Sequence, residues 1–299
     1  MVPNPKFKQV LVLSTAMLTF ISFWKAASIV LCDFGSSAYY AGGIAMNAFG
    51  PSFPWFILGV MLFSGLMLGV YTESCLLFVR GGVYVVVREA MGKVMAKLSV
   101  SALIFDYTLT GPISSVTAGL YLGGLLSNLL PLMHINWHVP SRAFAVIFAL
   151  AVTGYFWAEN IRGVEESADN NLKIISFVTV VAVVLIGWAG ITIYHRGFTL
   201  PPFTPVFTPK ALGWTTHFPW IKAVGVVGLI MAFGHSILAL SGLETLAQVY
   251  REIEDPKFEN LKKAVITIFI FSVLFTGLLT FMSSLIIPPE LVAGKYADN

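Results

Sequence analysis

Asp33-Phe34-Gly35-Ser36-Ser37-Ala38-Tyr39-Tyr40-Ala41-Gly42-Gly43 lies inside an apolar run that extends from Val10 to Phe49. The run is about 40 residues. One membrane helix needs about 20, so the run is too long for one span and too short for two spans with a loop. A short interfacial segment over residues 1–21, followed by a span over 22–48, resolves the length. Trp24 and Lys25 then stand as a membrane-edge anchor. The centre of that span carries a carboxylate, two serines and three glycines. A charge at that depth costs about 3 kcal/mol or more. The reading is a helix interrupted at a polar centre.

The rest of the chain fits a membrane setting. Of 299 residues, 57% are apolar and 11% charged, against about 25% charged in an average protein. Mean hydropathy is +0.82. There is too little charge to coat a soluble globule, which excludes a soluble enzyme, a nucleic-acid binder and a secreted disulfide scaffold. Cys32 and Cys75 both sit in apolar runs and suggest no disulfide framework. The spans are continuous apolar runs and lack the alternation of a transmembrane barrel. Lys6 and Lys8 before an apolar run resemble a signal peptide, but Lys25 interrupts that run and no small-x-small cleavage site follows. The further spans fall at 53–78, 98–130, 141–160, 174–194, 221–248 and 264–287. The third is overlong, and the interval 195–220, rich in Pro and Thr, is the one long connection.

Basic residues orient the bundle. With the N-terminus inside, Lys6, Lys8, Lys25, Arg80, Arg88, Lys93, Lys97, Arg162, Lys173, Arg251, Lys257, Lys262 and Lys263 fall on the inner side. Arg142, Arg196, Lys210, Lys222 and Lys295 fall outside. This excess predicts a cytoplasmic N-terminus in a cell (plasma or inner) membrane. It argues against a rhodopsin-like receptor, which starts outside, and 264–287 holds no lysine for a retinal.

Acids deep in a bilayer are functional suspects. Asp33 lies in span 1, Asp106 in span 3 and Glu244 in span 6. Glu73 and Glu159 lie near cytoplasmic ends, where an interfacial role serves as well. His235, the one histidine in a span, has no metal-ligand partners at sensible spacing and reads first as structural. In span 3, Asp106, Thr110, Ser114 and Thr117 follow at i, i+4, i+8 and i+11. At about 100° per residue they share one face within about 80°. Hydroxyls alone often tie helices together. A carboxylate on the same stripe points to a pathway or a site. Gly111-Pro112 predicts a kink beside it.

Span 6 carries Phe233-Gly234-His235-Ser236 and Leu240-Ser241-Gly242-Leu243-Glu244. At an offset of 199, Phe34 meets Phe233, Gly35 meets Gly234, Ser37 meets Ser236 and Gly43 meets Gly242. Gly35, Ser36, Ser37, Gly234 and Gly242 are thus the candidate break residues. Paired interruptions in two inverted halves point to a transporter binding site, although two small-residue packing helices would also look like this.

With these marks, the Phe78–Tyr84 stretch after span 2 and the Glu254-Asp255-Pro256-Lys257 loop, the chain resembles the amino acid–polyamine–organocation superfamily of permeases. The resemblance covers nearly the whole chain. It implies an all-α polytopic transporter with an inverted five-plus-five repeat, broken in spans 1 and 6. General amino acid permeases of that superfamily carry a Gly-Ser-Gly break in span 1, where this chain has Asp33–Ser37. It is more similar to the superfamily's proton-coupled potassium importers. They place an aspartate and a tyrosine seven apart in span 1 (here Asp33 and Tyr40), and Asp, Thr and Ser in span 3 (Asp106, Thr110, Ser114). They also place a hydroxyl and a glutamate three apart in span 6 (Ser241, Glu244), with Ser241 replacing a threonine. The family has at least ten core helices, whereas this chain stops after seven spans, so it is expected to be truncated or part of a longer protein. A homodimer of the full-length protein is in keeping with the family.

Physics also weighs on the substrate. Asp33 at the break would repel an amino acid carboxylate. Three deep acids with no deep lysine or arginine favour a cation or protons. Potassium needs several oxygens, which Asp33, Tyr40, Thr110, Ser114, Ser241 and backbone carbonyls offer, while Asp106 or Glu244 would carry a proton. An α-amino group also welcomes acids, so amino acid uptake is the alternative, and a channel a more remote one. No zinc-protease, nucleophile-elbow or nucleotide-binding motif is present, so neither an enzyme nor a primary pump is expected, and no cofactor beyond transported ions.

Overall fold

The computed structural model describes residues 20–78, 82–134, 140–161, 164–208, 211 and 225–287. The interfacial segment read over 1–21 lies almost wholly outside them, as do Lys210 and Lys222. Helix dominates the described residues. The one strand-like contact is an isolated bridge between Ile21 and Ile253.

The first predicted span is interrupted where its sequence is polar. Helix α1 covers Phe23–Phe34, a 3-10 segment covers Gly35–Tyr39, and α2 resumes over Ala41–Phe49. Gly50, at φ +74°, allows the turn into α3, Phe53–Leu77. Next come the short α4 (Gly82–Met91), α5 (Lys93–Leu132), α6 (Ser141–Asn160) and α7 (Val164–Arg196). The second interrupted span runs through α8 (Gly225–Ser236), a 3-10 turn (Ile237–Leu240), an irregular stretch and α9 (Thr245–Val249). The last span starts as α10 (Lys257–Phe271), passes through a π-helical turn (Ser272–Leu278) and ends as α11 (Leu279–Ile286).

Among the described residues, six segments are long and apolar enough to cross a membrane. The first, Phe23–Leu77, is 55 residues and holds both the interrupted span and α3, so it accounts for two of the seven predicted spans. Several helices outrun the predicted limits. Helix α5 has 40 residues, about 60 Å at 1.5 Å per residue and twice the hydrocarbon thickness. It runs through Pro112 without a break in the helix, so no interruption accompanies the proline.

Apolar burial drives helices together weakly in lipid, because the tails are as apolar as the side chains; close packing through small residues does the work. The core around α1 is built that way. Ala26, Ala27, Ala45, Ala232, Ala239 and Ala264 are fully buried beside Val30, Leu31 and Phe34. Helices α7 and α10 pack on α1, and the π-helical turn packs on the 3-10 segment of span 1. Helices α5 and α6 pack on each other as a hairpin. A Cβ on Gly119 would come within 2.7 Å of the Ala145 Cα, so glycine is what allows those backbones to meet.

The two ends of the bundle differ. At one end Ile21 pairs with the chain after span 6: its N–H donates to the Glu252 carbonyl at 2.8 Å, and its carbonyl accepts from Glu254 at 3.0 Å. Lys25 pairs with Asp169 at 2.8 Å, and Lys257 and Lys263 lie over Phe20 and Phe23. At the other end the chain after α7 covers the α2–α3 turn. Val206 and Thr208 donate to the carbonyls of Phe49 and Ala48, and Trp55 donates to that of Pro201.

Candidate transport site

Both interruptions leave backbone groups without helical partners, and each supplies what the other lacks. The Ser37 hydroxyl lies 2.7 Å from the Phe34 carbonyl and 3.1 Å from that of Ala239, the latter in the span 6 break. Gly242 adopts φ +98° and lies flat against the end of α1. A Cβ there would fall 2.6 Å from the Phe34 nitrogen and 2.8 Å from the Asp33 carboxyl carbon.

The carboxylates converge on this contact. Thr245, the first residue of α9, donates to Asp33 Oδ2 at 3.0 Å. Ser241 donates to Asp106 at 3.0 Å to Oδ2 and 3.3 Å to Oδ1. Glu244 lies between them in sequence, close enough to Asp33 and Asp106 for charge repulsion, and its Oε1 is buried with no hydrogen-bond partner. Among the described residues, no lysine or arginine pairs with any of the three. The result is a cluster of three carboxyl groups, two of them held by neutral hydroxyls.

Most of the residues expected from sequence meet here. Ser36 donates to the Asp33 carbonyl at 2.7 Å, and Ser114 reaches Ser36 at 3.4 Å from α5. Tyr40, buried, lies beside both serines. Thr110 turns its hydroxyl to the Asp106 carbonyl of its own helix, at 3.0 Å, which leaves its oxygen lone pairs free. Gly35 packs against the Phe271 ring, with 3.3 Å for an added Cβ.

Gly234 departs from the expectation. It lies inside α8, two residues before that helix ends, with nothing within 4 Å of an added Cβ. It is not a break residue. The offset of 199 fails for the same reason. The helices stop at Phe34 and Ser236 and resume at Ala41 and Thr245, three to five residues out of that register. Gly43, paired with Gly242 in that alignment, sits in α2 beyond the break. His235 is a packing residue, with Nδ1 2.9 Å from the Met231 carbonyl and its ring between Phe49 and Phe207.

Sequence reasoning missed Thr245, Tyr107 and Gln248. Tyr107, next to Asp106 on α5, accepts from Gln248 Nε2 at 2.7 Å. The signal was there: Thr245 and Gln248 are three apart on one helical face, directly after Glu244. A cavity of about 300 Å³, lined by Gly42, Met46, Thr199, Pro201 and Ser283 among others, opens on the side of the break away from the Ile21–Ile253 end; none of the three acids lines it.

Residues 21–297 match the sequence profile of the family described as amino acid permease. The chain belongs to that family. It is therefore a polytopic helical membrane protein of the amino acid–polyamine–organocation superfamily. The chain is also 25% identical over 201 residues to the potassium transporter KimA of Bacillus subtilis. That similarity covers 66% of this chain and 29% of the relative.

The two glycines of span 6 should behave in opposite ways. Gly242→Ala meets both a left-handed backbone, about 1–2 kcal/mol, and overlap with α1, about 1–3 kcal/mol. It should lower the thermal midpoint of the purified protein by several degrees and abolish activity. Gly234→Ala should leave the midpoint equal or higher, since alanine favours a helix interior by about 1 kcal/mol. Equal melting of Gly242→Ala and wild type would refute the contact between the breaks.

Proposed function

We propose that this chain carries the ion path of a proton-coupled secondary transporter that takes up a small cation, potassium, by alternating access. One observation supports this reading above the others. Three membrane-embedded carboxylates surround two helix breaks, with no cationic side chain among the described residues paired to them. Such a cluster is costly unless a mobile positive charge joins it. Oxygens are the ligands potassium requires, and Asp33, Tyr40, Thr110, Ser114 and Ser241 supply them beside the carbonyls freed at the breaks. Asp106 and Glu244 hold the coupling proton. The unpartnered Glu244 oxygen offers a place for it, and Ser241 ties Asp106 to the moving break. The similarity to a potassium transporter agrees with this choice. Amino acid uptake is the second reading, favoured by the description of the matching family. In that case the α-amino group would meet the acids, but the substrate carboxylate would face Asp33 across the same break.

Asp33→Asn separates the two. For potassium it removes one charge of a nearly dry ion pair, a loss of about 3–5 kcal/mol, or two to three decades in affinity. The full-length gene product, expressed in a strain without its own potassium importers, should rescue growth at low potassium only with Asp33 intact. Rescue unaffected by Asp33→Asn, or amino acid uptake without potassium uptake, would favour the second reading.

The proton assignment has its own signature. Glu244→Gln or Asp106→Asn should abolish uptake driven by a pH gradient in proteoliposomes and spare rubidium exchange at equal pH. Normal gradient-driven accumulation in both variants would contradict it.

We further infer that the end holding Lys25, Arg251, Lys257 and Lys263 faces the cytoplasm in the cell membrane, from the excess of basic residues there. A single cysteine at position 198, on the opposite end, should react with an impermeant maleimide in intact cells, and one at 257 only after lysis. The reverse pattern would invert the topology.

A further inference from the structure

The last span carries hydroxyls at helical spacing that the acid cluster does not use. After Thr276, the residues Thr280, Ser283 and Ser284 follow at i+4, i+7 and i+8, within about 100° of one face. The π-helical turn decides where that face points. Leu279 donates its N–H to the Leu274 carbonyl, five residues back. In a regular α-helix Thr276 would lie about 140° from Phe271, at about 100° per residue. The wider turn brings position i+5 back toward position i. Phe271 lies against Gly35, with 3.3 Å for an added Cβ, and Thr280 lies against Gly42, at 3.2 Å. Thr276 stands between those two contacts, in the turn that packs on the 3-10 segment of span 1. Its neighbour Gly277 lies against Leu58 and Met61 of α3, which leaves Thr276 the side of the break.

Thr276 is 1% exposed, and its hydroxyl has no hydrogen-bond partner. Thr72, Thr179 and Thr267, by contrast, each donate to the carbonyl four residues back. Beyond the π turn, Ser283 donates to the Thr280 carbonyl at 2.8 Å and Ser284 to that of Phe281 at 2.7 Å. Their protons are turned to their own helix, so they offer oxygen lone pairs. Thr280, Ser283 and Ser284 line the cavity of about 300 Å³, together with Ala38 of the break and Gly43 of α2. Pro201 and Pro202, which also line it, have no N–H to offer. No charged side chain among the described residues lines it. We propose that this stripe is the outer access path of the cation. The ion passes from the cavity along Ser284, Ser283 and Thr280 to Thr276, one turn further in, which hands it to the carbonyls freed at the break of span 1. Neutral oxygens with their protons turned away suit a cation that exchanges its water for protein oxygens in steps. The inference rests on the cation reading above and adds a route to it.

Gly43 gives a direct test, because it lines the cavity, sits inside α2 and has nothing within 4 Å of an added Cβ. Gly43→Leu fills the route without a clash. In the full-length protein it should slow initial rubidium uptake into cells about ten-fold or more and leave equilibrium rubidium binding to the purified protein within about two-fold, since a narrowed route delays the ion without touching its ligands. Thr276→Val should lower uptake about five- to twenty-fold with the thermal midpoint equal or higher, because it removes a buried hydroxyl that has no partner. Thr276→Ser, which keeps the hydroxyl, should hold uptake within about two-fold of wild type. On a cysteine-free background, Gly43→Cys should be blocked by a cationic, impermeant methanethiosulfonate added outside, and external rubidium should slow the block. Wild-type uptake in Gly43→Leu or in Thr276→Val, loss of equilibrium binding in Gly43→Leu, or no block of Gly43→Cys would overturn the path. The cation reading then still stands where Asp33→Asn abolishes uptake. Absence of rubidium uptake by the wild-type protein would overturn both.

Discussion

Hydrocarbon offers backbone groups no hydrogen-bonding partner, so an interrupted membrane helix survives only where another part of the protein supplies one. This permease has two interruptions, and they are placed face to face. Ser37 reaches a carbonyl of the opposite break, and Gly242 brings its backbone against the end of α1 closely enough that no side chain fits between them. Everything polar in the site hangs from that contact. Thr245 can reach Asp33 because α9 restarts just after Gly242, and Ser241 can reach Asp106 because the irregular stretch before Gly242 turns toward α5.

The same contact explains which parts of the architecture were legible in the sequence. Hydropathy sees only apolar stretches, so it marks the apolar part of each helix but not how far the helix runs beyond it. Helix α5 begins at Lys93 and α7 at Val164, both well before their apolar windows. Helix α4, ten residues flanked by basic positions, was invisible to a window of membrane length. The break in span 1 was legible because a charge and a Gly-Ser cluster coincide at Asp33–Ser37. In span 6 the letters misled: Gly234 resembles Gly35 but is an ordinary helical glycine, whereas Gly242 is the one whose backbone conformation and neighbours exclude other residues. Composition cannot distinguish the two. Only the partner across the gap does.

The candidate site was legible in its charges and less so in its supports. Asp33, Asp106 and Glu244 stand out because each is expensive in lipid, and they converge in space. Thr245, Tyr107 and Gln248 do not stand out, since a threonine, a tyrosine and a glutamine are unremarkable in a membrane helix. Their hydrogen bonds, Thr245 to Asp33 and Gln248 to Tyr107, exist only once three helices are assembled.

On the proposed reading, the charge count also bears on coupling. A proton on Glu244 or Asp106 lowers the negative potential that attracts the cation, so within the site cation and proton oppose each other's binding. Mutual attraction therefore cannot be what couples them. Occlusion can. When a transporter rocks about a fixed site and closes both entrances, uncompensated carboxylates lose their water, and that step is costly in proportion to the charge left bare. One cation and one proton reduce three negative charges to one, shared among the hydroxyls of Ser241, Thr245 and Tyr40. Partial loading leaves two. The step that excludes water is then the step that selects the fully loaded carrier. The absence of a balancing lysine or arginine among the described residues ceases to be an oddity: a fixed positive charge would leave the empty site no more negative than a partly loaded one and so blunt that selection.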